Sequence, residues 1–206
     1  MGLETIFFVI ILIISVVVHE VAHGYMALAL GDNTAKQAGR LTLNPLPHID
    51  PLGSIILPFF MSLLPGGVIF GWAKPIPYNP YNLRAGKWGP ALVALAGPVS
   101  NLILATVFGL GVRFSSIFSI SSVEVLGLMQ TIVLMNIVLA IFNLIPIPPL
   151  DGSKILFAIL PYRLRWIEEW MGRYQLVLLL VVVFFLAELL SPIMLWLFSW
   201  LTGVGI

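Results

Sequence analysis

The stretch His19-Glu20-Val21-Ala22-His23 lies at the end of a run of apolar residues that begins near the N-terminus. Its pattern, H-E-x-x-H, places two histidines four residues apart, so that on a helix both imidazoles project from one face and can hold one zinc ion. Glu20 stands beside them, where a carboxylate can take a proton from a zinc-bound water. Only three of the sixteen residues from 3 to 18 are polar, which predicts that this helix lies in a membrane.

The composition of the whole chain supports a membrane protein. Of its 206 residues, 60% are hydrophobic and 9% are charged, and the mean hydropathy is +1.07. Soluble domains carry roughly 25% charged residues, so we expect a polytopic membrane protein. A net charge of +1 gives no case for nucleic-acid binding. Because cysteine is absent, a metal site must use histidine and carboxylate ligands.

Hydrophobic segments predict an all-α fold with additional short elements. The predicted spans are about 3–30, 91–112, 125–145 and 176–201. Residues 51–72 contain an apolar stretch too short for an ordinary span, which favours a re-entrant segment, although full crossing stays open. Residues 68–77 alternate small, aromatic and β-branched side chains, which predicts a small membrane-associated β-strand or hairpin.

The distribution of basic residues predicts an orientation. If residues 51–72 dip into the membrane and return, nine basic residues lie on one side and only Arg113 lies on the other. Because cytoplasmic loops carry the excess of Lys and Arg, this arrangement is favoured over full crossing, which divides them seven to three. We therefore expect a multi-pass protein of the cell membrane, with an extracytoplasmic N-terminus and its metal site toward the cytoplasm. The nine residues are Lys36, Arg40, Lys74, Arg84, Lys87, Lys154, Arg163, Arg165 and Arg173.

A third zinc ligand is needed, since catalytic zinc usually takes three protein ligands and leaves a fourth position to water. The candidates at membrane depth are His48, Asp50, Asp151 and Glu188. Asp151 stands out because it follows a proline-rich break at the end of a hydrophobic segment, where irregular backbone can turn a carboxylate inward. Glu188 is an intramembrane acid that we expect to be structurally paired or to face a wet cavity.

Two further motifs accompany H-E-x-x-H in order along the chain: Gly97-Pro98-x-x-Asn101 and Asn143-x-x-Pro146-x-Pro148-x-Leu150-Asp151-Gly152. Together they resemble the site-2 protease family of intramembrane zinc metallopeptidases, and the resemblance covers nearly the whole chain. Many members carry a PDZ or CBS domain. This chain shows neither, so it is similar to the compact prokaryotic branch, with residues 1–206 as a single domain.

The resemblance implies specific roles for site residues. His19, His23 and Asp151 would bind one Zn²⁺ per chain, and Glu20 would be the catalytic base. The first, third and fourth hydrophobic segments, with residues 51–72 counted as the second, would form a three-helix catalytic core. The reaction implied is hydrolysis of peptide bonds within or near the transmembrane segments of membrane-protein substrates, which is regulated intramembrane proteolysis.

Other polar and glycine residues are secondary candidates. Asn143 would hold substrate backbone or face the oxyanion, or else bond backbone freed by Pro146. His48 would touch the active site or a second metal, or else cap a turn. Gly67 stands at an edge, residues 67–77, to which an extended substrate could add as a strand. We expect Asn101 to link helices inside the core.

Two other function classes stay open at this point. The same His, Glu and Asp residues could form a transient zinc site in a membrane transporter, although the chain lacks the inverted repeat that many transporters show. A catalytically silent scaffold would keep only the fold. The expected partners are a transmembrane protein substrate and the lipid bilayer, and a homo-oligomer is compatible with the sequence.

Overall fold

Helices account for most of the chain that can be described. A computed structural model describes residues 3–56, 71–183 and 187–205. The α-helices, in chain order, are α1 (Leu3–Ala29), α2 (Thr34–Gln37), α3 (Gly89–Arg113), α4 (Val123–Asn143), α5 (Asp151–Ile159), α6 (Arg165–Arg173), α7 (Gln175–Val181) and α8 (Ala187–Thr202). Short 3₁₀ turns lie at Leu46–His48, Pro80–Asn82, Gly86–Trp88 and Tyr162–Leu164, and a π-helical turn lies at Pro51–Ile56.

Three helices are long and apolar enough to cross a membrane. They cover Thr5–Ala29, Gly86–Arg113 and Val123–Asn143, in agreement with three of the predicted spans. The first ends where predicted, because Gly31 adopts a φ of +106°, a conformation that favours glycine and ends a helix. The prediction of a mainly helical, multi-pass membrane protein is therefore confirmed.

The helix α3 lies at the centre of the bundle. It packs against α1, α4, α5 and α8, and α1 also contacts α4. Ala105 of α3 and Val133 and Ile137 of α4 are fully buried where α8 joins them. The three long helices thus form the predicted three-helix core, and this core brings residues from distant parts of the sequence into contact.

The last hydrophobic segment contains two helices in the described chain. The helix α7 ends at Val181, and α8 runs from 187 to 202 with Pro192 inside it. Pro192 therefore does not separate a span from an interfacial helix. At 16 residues, α8 is shorter than the roughly 20 residues that cross a bilayer upright.

Residues 31–56 leave the C-terminal end of α1, and residues 71–83 return to the bundle at the same end. The N–H of Arg84 donates to the carbonyl of Leu30 at 2.9 Å, next to the C-terminus of α1. Asp32, fully buried, accepts hydrogen bonds from the N–H of Asn79 and the amide of Asn82 at 2.8 and 2.9 Å. These contacts fix the polar connection over the end of α1 that carries the two motif histidines.

The predicted strand is not found in the described part of its range. Residues 68–70 lie outside the described chain, and residues 71–79 contain no helix or strand. The physical reason is that their N–H groups find separate acceptors: Trp72 donates to the Gly53 carbonyl, Lys74 to the His48 carbonyl and Ile76 to the Glu20 carboxylate. Residues 51–56 form a helical turn, and residues 57–70 of the predicted re-entrant segment lie outside the description.

Candidate metal centre and active site

Two histidines and one aspartate meet where α1, α3 and α5 converge. The Oδ2 atom of Asp151 lies 3.1 Å from Nε2 of His19 and 3.0 Å from Nε2 of His23. The two imidazole rings stand perpendicular, with centroids 4.6 Å apart. All three residues are buried, with 6–8% of their surface exposed. Among the described residues, this is the one group of His, Cys, Asp or Glu side chains placed to hold a metal ion.

The local structure explains how Asp151 reaches the histidines. The Pro-rich segment after α4 ends in Leu150, whose backbone is extended, and α5 begins at Asp151. A Cβ atom on Gly152 would overlap the carbonyl groups of Leu144 and Ile145. The first turn of α5 can therefore lie directly on the end of α4 only because residue 152 is glycine, and this close approach brings Asp151 inward.

The outer nitrogen of each histidine is anchored. Nδ1 of His23 lies 2.7 Å from the carbonyl oxygen of Val93, and Nδ1 of His19 lies 2.5 Å from Oδ1 of Asn101. A backbone carbonyl can only accept, so Nδ1 of His23 carries the proton and donates it. The proton on Nδ1 leaves Nε2 with a lone pair, and in both rings Nε2 is the atom that faces Asp151.

The donor set fits zinc. Two nitrogen lone pairs and a carboxylate oxygen that approach one another this closely repel unless a metal cation or a shared proton lies among them. Ligands at about 2.0–2.1 Å in a tetrahedron lie roughly 3.3 Å apart, close to the 3.0 and 3.1 Å separations here. Histidines whose other ring nitrogen donates to a carbonyl or amide oxygen are also typical of metal ligands.

Glu20 is held at the side of this group. Its carboxylate Oε2 accepts a hydrogen bond from the N–H of Ile76 at 2.9 Å, and Ile76 is buried against Val17 and Val21 of α1. Glu20 is half-buried. Residues 71–79, which we call the extended segment, therefore pass over the motif helix, and the N–H of Ile76 orients the Glu20 carboxylate.

Lys154 lies beside the second oxygen of Asp151. Its Nζ atom is 3.4 Å from Oδ1 of Asp151 and 5.7 Å from the centre of the Tyr78 ring. The positive charge occupies the side of the carboxylate that faces away from the histidines. This arrangement leaves Oδ2 as the carboxylate oxygen that faces the histidines, and it connects the first turn of α5 to the extended segment.

The remaining predicted residues lie elsewhere. The side-chain amide of Asn143 donates to the carbonyl of Leu139 in its own helix. Nε2 of His48 lies 2.9 Å from the Thr42 carbonyl, and its Nδ1 is buried with no hydrogen-bond partner. The roles of Asn143 and His48 as substrate contacts stay predictions.

Three further candidates lie outside the metal-binding group or outside the description. Gly67 lies outside the described residues. Asp50 caps the turn at 51–54, Glu188 is exposed on α8, and neither belongs to the metal-binding group.

Several residues that hydrogen-bond to the histidines, directly or through one another, were not predicted from the sequence. Asn101 links helices as predicted, but it does so through Asn136 and Ser15, which were not singled out as site residues. Asn136 carries a signal in the sequence, because a buried amide within a span is costly without partners. The Val93 carbonyl carries no such signal, because every residue has a main-chain carbonyl.

Comparisons with known proteins identify the family of the chain. The family model described as "Peptidase family M50" matches residues 112–187, which include Asp151 but not the H-E-x-x-H motif. The "Putative zinc metalloprotease YwhC" of Bacillus subtilis is 41% identical over 77% of this chain and 71% of its own length. The "Putative zinc metalloprotease Rip2" of Mycobacterium tuberculosis H37Rv is 31% identical over 94% of this chain and 73% of its own.

A more distant relative is archaeal. The "Zinc metalloprotease MJ0392" of Methanocaldococcus jannaschii is 29% identical over 78% of this chain and 36% of its own length. No solved structure matches the chain significantly. The long matches to the bacterial proteins, together with the family model, show that the chain belongs to peptidase family M50, the site-2 proteases.

Proposed function

We propose that this chain is an intramembrane zinc metalloprotease that hydrolyses peptide bonds within or next to the transmembrane segments of membrane proteins, and that residues 1–206 act as one domain. The observation that carries the proposal is the convergence of His19, His23 and Asp151 within a bundle of membrane-spanning helices, with Glu20 beside them. Family membership fits this activity.

The proposed roles follow from the donor atoms. Nε2 of His19, Nε2 of His23 and Oδ2 of Asp151 would hold one zinc ion. When bound, zinc supplies a Lewis acid that polarises the scissile carbonyl and makes water a better nucleophile at neutral pH. Glu20 accepts a proton from the attacking water as the new C–O bond forms, and gives it to the leaving nitrogen as the C–N bond breaks.

The extended segment supplies a surface for the substrate. The N–H groups of residues 72, 74 and 76 point into the protein, so by the alternation of extended backbone those of Gly71 and Ala73 face the opposite side. A substrate helix hides its peptide carbonyls in hydrogen bonds and has to unwind before hydrolysis. We infer that the unwound substrate lies along this outer side, where main-chain pairing would hold it extended next to Glu20.

The proposed orientation places the N-terminus outside the cell and the metal centre toward the cytoplasm. Two observations support it. Nine of the ten Lys and Arg residues belong to connections at one end of the bundle under this topology. The hydrogen bond between Arg84 and Leu30 joins the two ends of residues 31–83, as expected if residues 51–72 do not make a single complete crossing.

The proposal is tested by metal content and cleavage on the purified chain in detergent. We expect one zinc per chain, cleavage of a membrane-spanning test substrate, loss of cleavage with a chelator and recovery with added zinc. Bound zinc without cleavage of several substrates would instead favour a silent scaffold. Zinc uptake into sealed vesicles containing the chain, without proteolysis, would favour the transporter.

A further inference from the structure

Three polar side chains meet near the middle of the three long helices. We call Ser15 of α1, Asn101 of α3 and Asn136 of α4 the mid-span relay. Ser15 is 3% exposed, and both asparagines are fully buried. Asn101 lies at the midpoint of Gly89–Arg113. Polar groups at such depth are costly unless they are fully paired.

The hydrogen bonds of the relay have a fixed direction. The carbonyl of Ile132 can only accept, so the atom of Asn136 that lies 2.8 Å from it is the amide nitrogen Nδ2. Oδ1 of Asn136 must then face Asn101, whose Nδ2 donates to it at 2.8 Å. Nδ2 of Asn136 also lies 3.0 Å from Oγ of Ser15, which adds a partner from the motif helix.

The direction of these hydrogen bonds also determines which ring nitrogen of His19 carries the proton. Nδ2 of Asn101 donates to Oδ1 of Asn136 at 2.8 Å and makes only a longer contact, 3.4 Å, with the main-chain carbonyl of Ser15, so its Oδ1 faces Nδ1 of His19, 2.5 Å away. Oδ1 can only accept, so Nδ1 of His19 carries the proton and Nε2 keeps its lone pair. If the amide of Asn101 were turned over, Nδ2 would face Nδ1 of His19, the ring proton would move to Nε2, and that nitrogen could not bind a metal.

We propose that Asn136 is a positioning residue for zinc: it fixes the amide of Asn101 and thereby the tautomer of His19. The inference rests on the proposed function, in which His19 is a ligand. His23 needs no such device, because its Nδ1 donates to the Val93 carbonyl, and a main-chain carbonyl in a helix cannot turn over. The chain therefore contains an internal comparison between a histidine that depends on the relay and one that does not.

The first measurement compares the wild type with Asn136→Leu, which has a similar shape but no hydrogen-bonding atoms. We expect zinc release to a chelator to be about 10–100-fold faster in the variant, the range for loss of an outer-shell partner. Ile137→Ala, which removes a fully buried side chain of the same helix, controls for general loosening and should release zinc within a few-fold of the wild-type rate.

The second measurement follows the ring protons of the two histidines by NMR of the zinc-loaded protein labelled with ¹⁵N-histidine. In Asn136→Leu the Nδ1–H resonance of His19 should shift or broaden, while that of His23 stays in place. Equal changes in the His19 and His23 resonances would overturn the proposal. It would also be overturned if Asn136→Leu released zinc at the wild-type rate and kept the wild-type resonances.

A second background separates the orienting role of Asn136 from a general structural role. In Asn101→Asp, a carboxyl group offers His19 an acceptor oxygen whichever way it is turned, so no orientation remains for Asn136 to fix. Adding Asn136→Leu there should change zinc release much less than it does alone. The same fold-change in both backgrounds would show a merely structural role and contradict the proposal. A wild-type chain that binds no zinc would overturn the proposed function together with this inference.

Discussion

Gly97 of α3 lies directly against His19 of α1: a Cβ atom built on Gly97 would stand 2.5 Å from Nε2 of His19, and equally close to the ring of His23. Real Cβ atoms do not approach other atoms so closely. The helix α3 can pack against the motif helix at this depth only because residue 97 has no side chain. The motif Gly97-Pro98-x-x-Asn101 thus contributes to the candidate metal centre in two ways. Gly97 leaves space for the imidazole rings, and Asn101 provides a hydrogen-bond acceptor for His19.

Gly97→Ala should therefore reduce zinc binding strongly while the chain still inserts into the membrane. The added methyl group would press on the ligand nitrogens of both histidines, so we expect zinc content well below one per chain and cleavage reduced about 100-fold or more. Zinc analysis of the purified variant checks this. The matched control is Gly127→Ala in α4, where a Cβ meets no atom within 4 Å; equal effects of the two substitutions would contradict the packing account.

Gly152→Ala tests how Asp151 is placed. The new methyl group would overlap the main-chain carbonyls of Leu144 and Ile145, which cannot move aside as a flexible side chain would. We expect the first turn of α5 to shift, with weaker zinc binding and lower thermal stability. Gly172→Ala in α6 meets open space, so it should leave zinc binding unchanged and should not lower thermal stability. Wild-type zinc affinity in Gly152→Ala would show that Asp151 does not depend on this contact.

The three residues that meet in the candidate metal centre could be predicted from the sequence because their signals are local. A spacing of four on a helix brings His19 and His23 together whatever the rest of the chain does, and the prolines before Asp151 end a helix wherever it lies. The three long spans follow similarly from hydrophobic length. These features need no knowledge of how helices pack.

The partners of the site were less predictable because they depend on the register between helices. Asn136 reaches Asn101 only after α3 and α4 are packed at one relative height, and the Val93 carbonyl is chemically the same as every other main-chain carbonyl.

The strand predicted at 68–77 shows a different limit of prediction from the sequence. An alternating sequence favours extended backbone, but whether a ladder forms depends on the acceptors opposite, which here are a carboxylate and scattered carbonyls.

Arg40→Lys should weaken substrate binding more than it slows chemistry. The guanidinium of Arg40 is buried, and its Nη2 donates to the carbonyls of Lys74 and Pro75 at 2.8 and 3.4 Å. A lysine ammonium is a compact, strongly hydrated charge on a flexible stem, so it would not hold the extended segment in the same way. We expect KM to rise several-fold with a smaller change in kcat, whereas Arg163→Lys on the exposed surface should change neither. A fall in kcat alone would argue against substrate pairing with this segment.

Asp32 should make stability depend on pH in the acid range. Burial alone would raise its pKa, but hydrogen bonds from Thr34, Asn82 and the N–H of Asn79 outweigh burial and hold the pKa below its ordinary value. Because the pKa is lower in the folded state, the stabilisation is present above the unfolded-state pKa and is lost as the pH falls below about 4.

Asp32→Asn tests this dependence by replacing an acceptor oxygen with a donor nitrogen among groups that all donate. We expect a lower melting temperature in detergent at pH 6, corresponding to about 1–3 kcal/mol, and a shallower loss of stability between pH 6 and pH 3 than in the wild type. Parallel melting curves against pH for the two proteins would mean that Asp32 does not carry the acid dependence.

The most direct measurement compares the wild type, Glu20→Gln and Asp151→Asn in one preparation, by zinc content and by cleavage of a membrane-spanning substrate. Glu20 is proposed to move protons without holding the metal, so Glu20→Gln should keep one zinc per chain and lose cleavage by about 100-fold or more. Asp151→Asn should lose both zinc and cleavage, because it removes the charge of a proposed ligand. Cleavage at the wild-type rate by Glu20→Gln, or full zinc content in Asp151→Asn, would contradict the account.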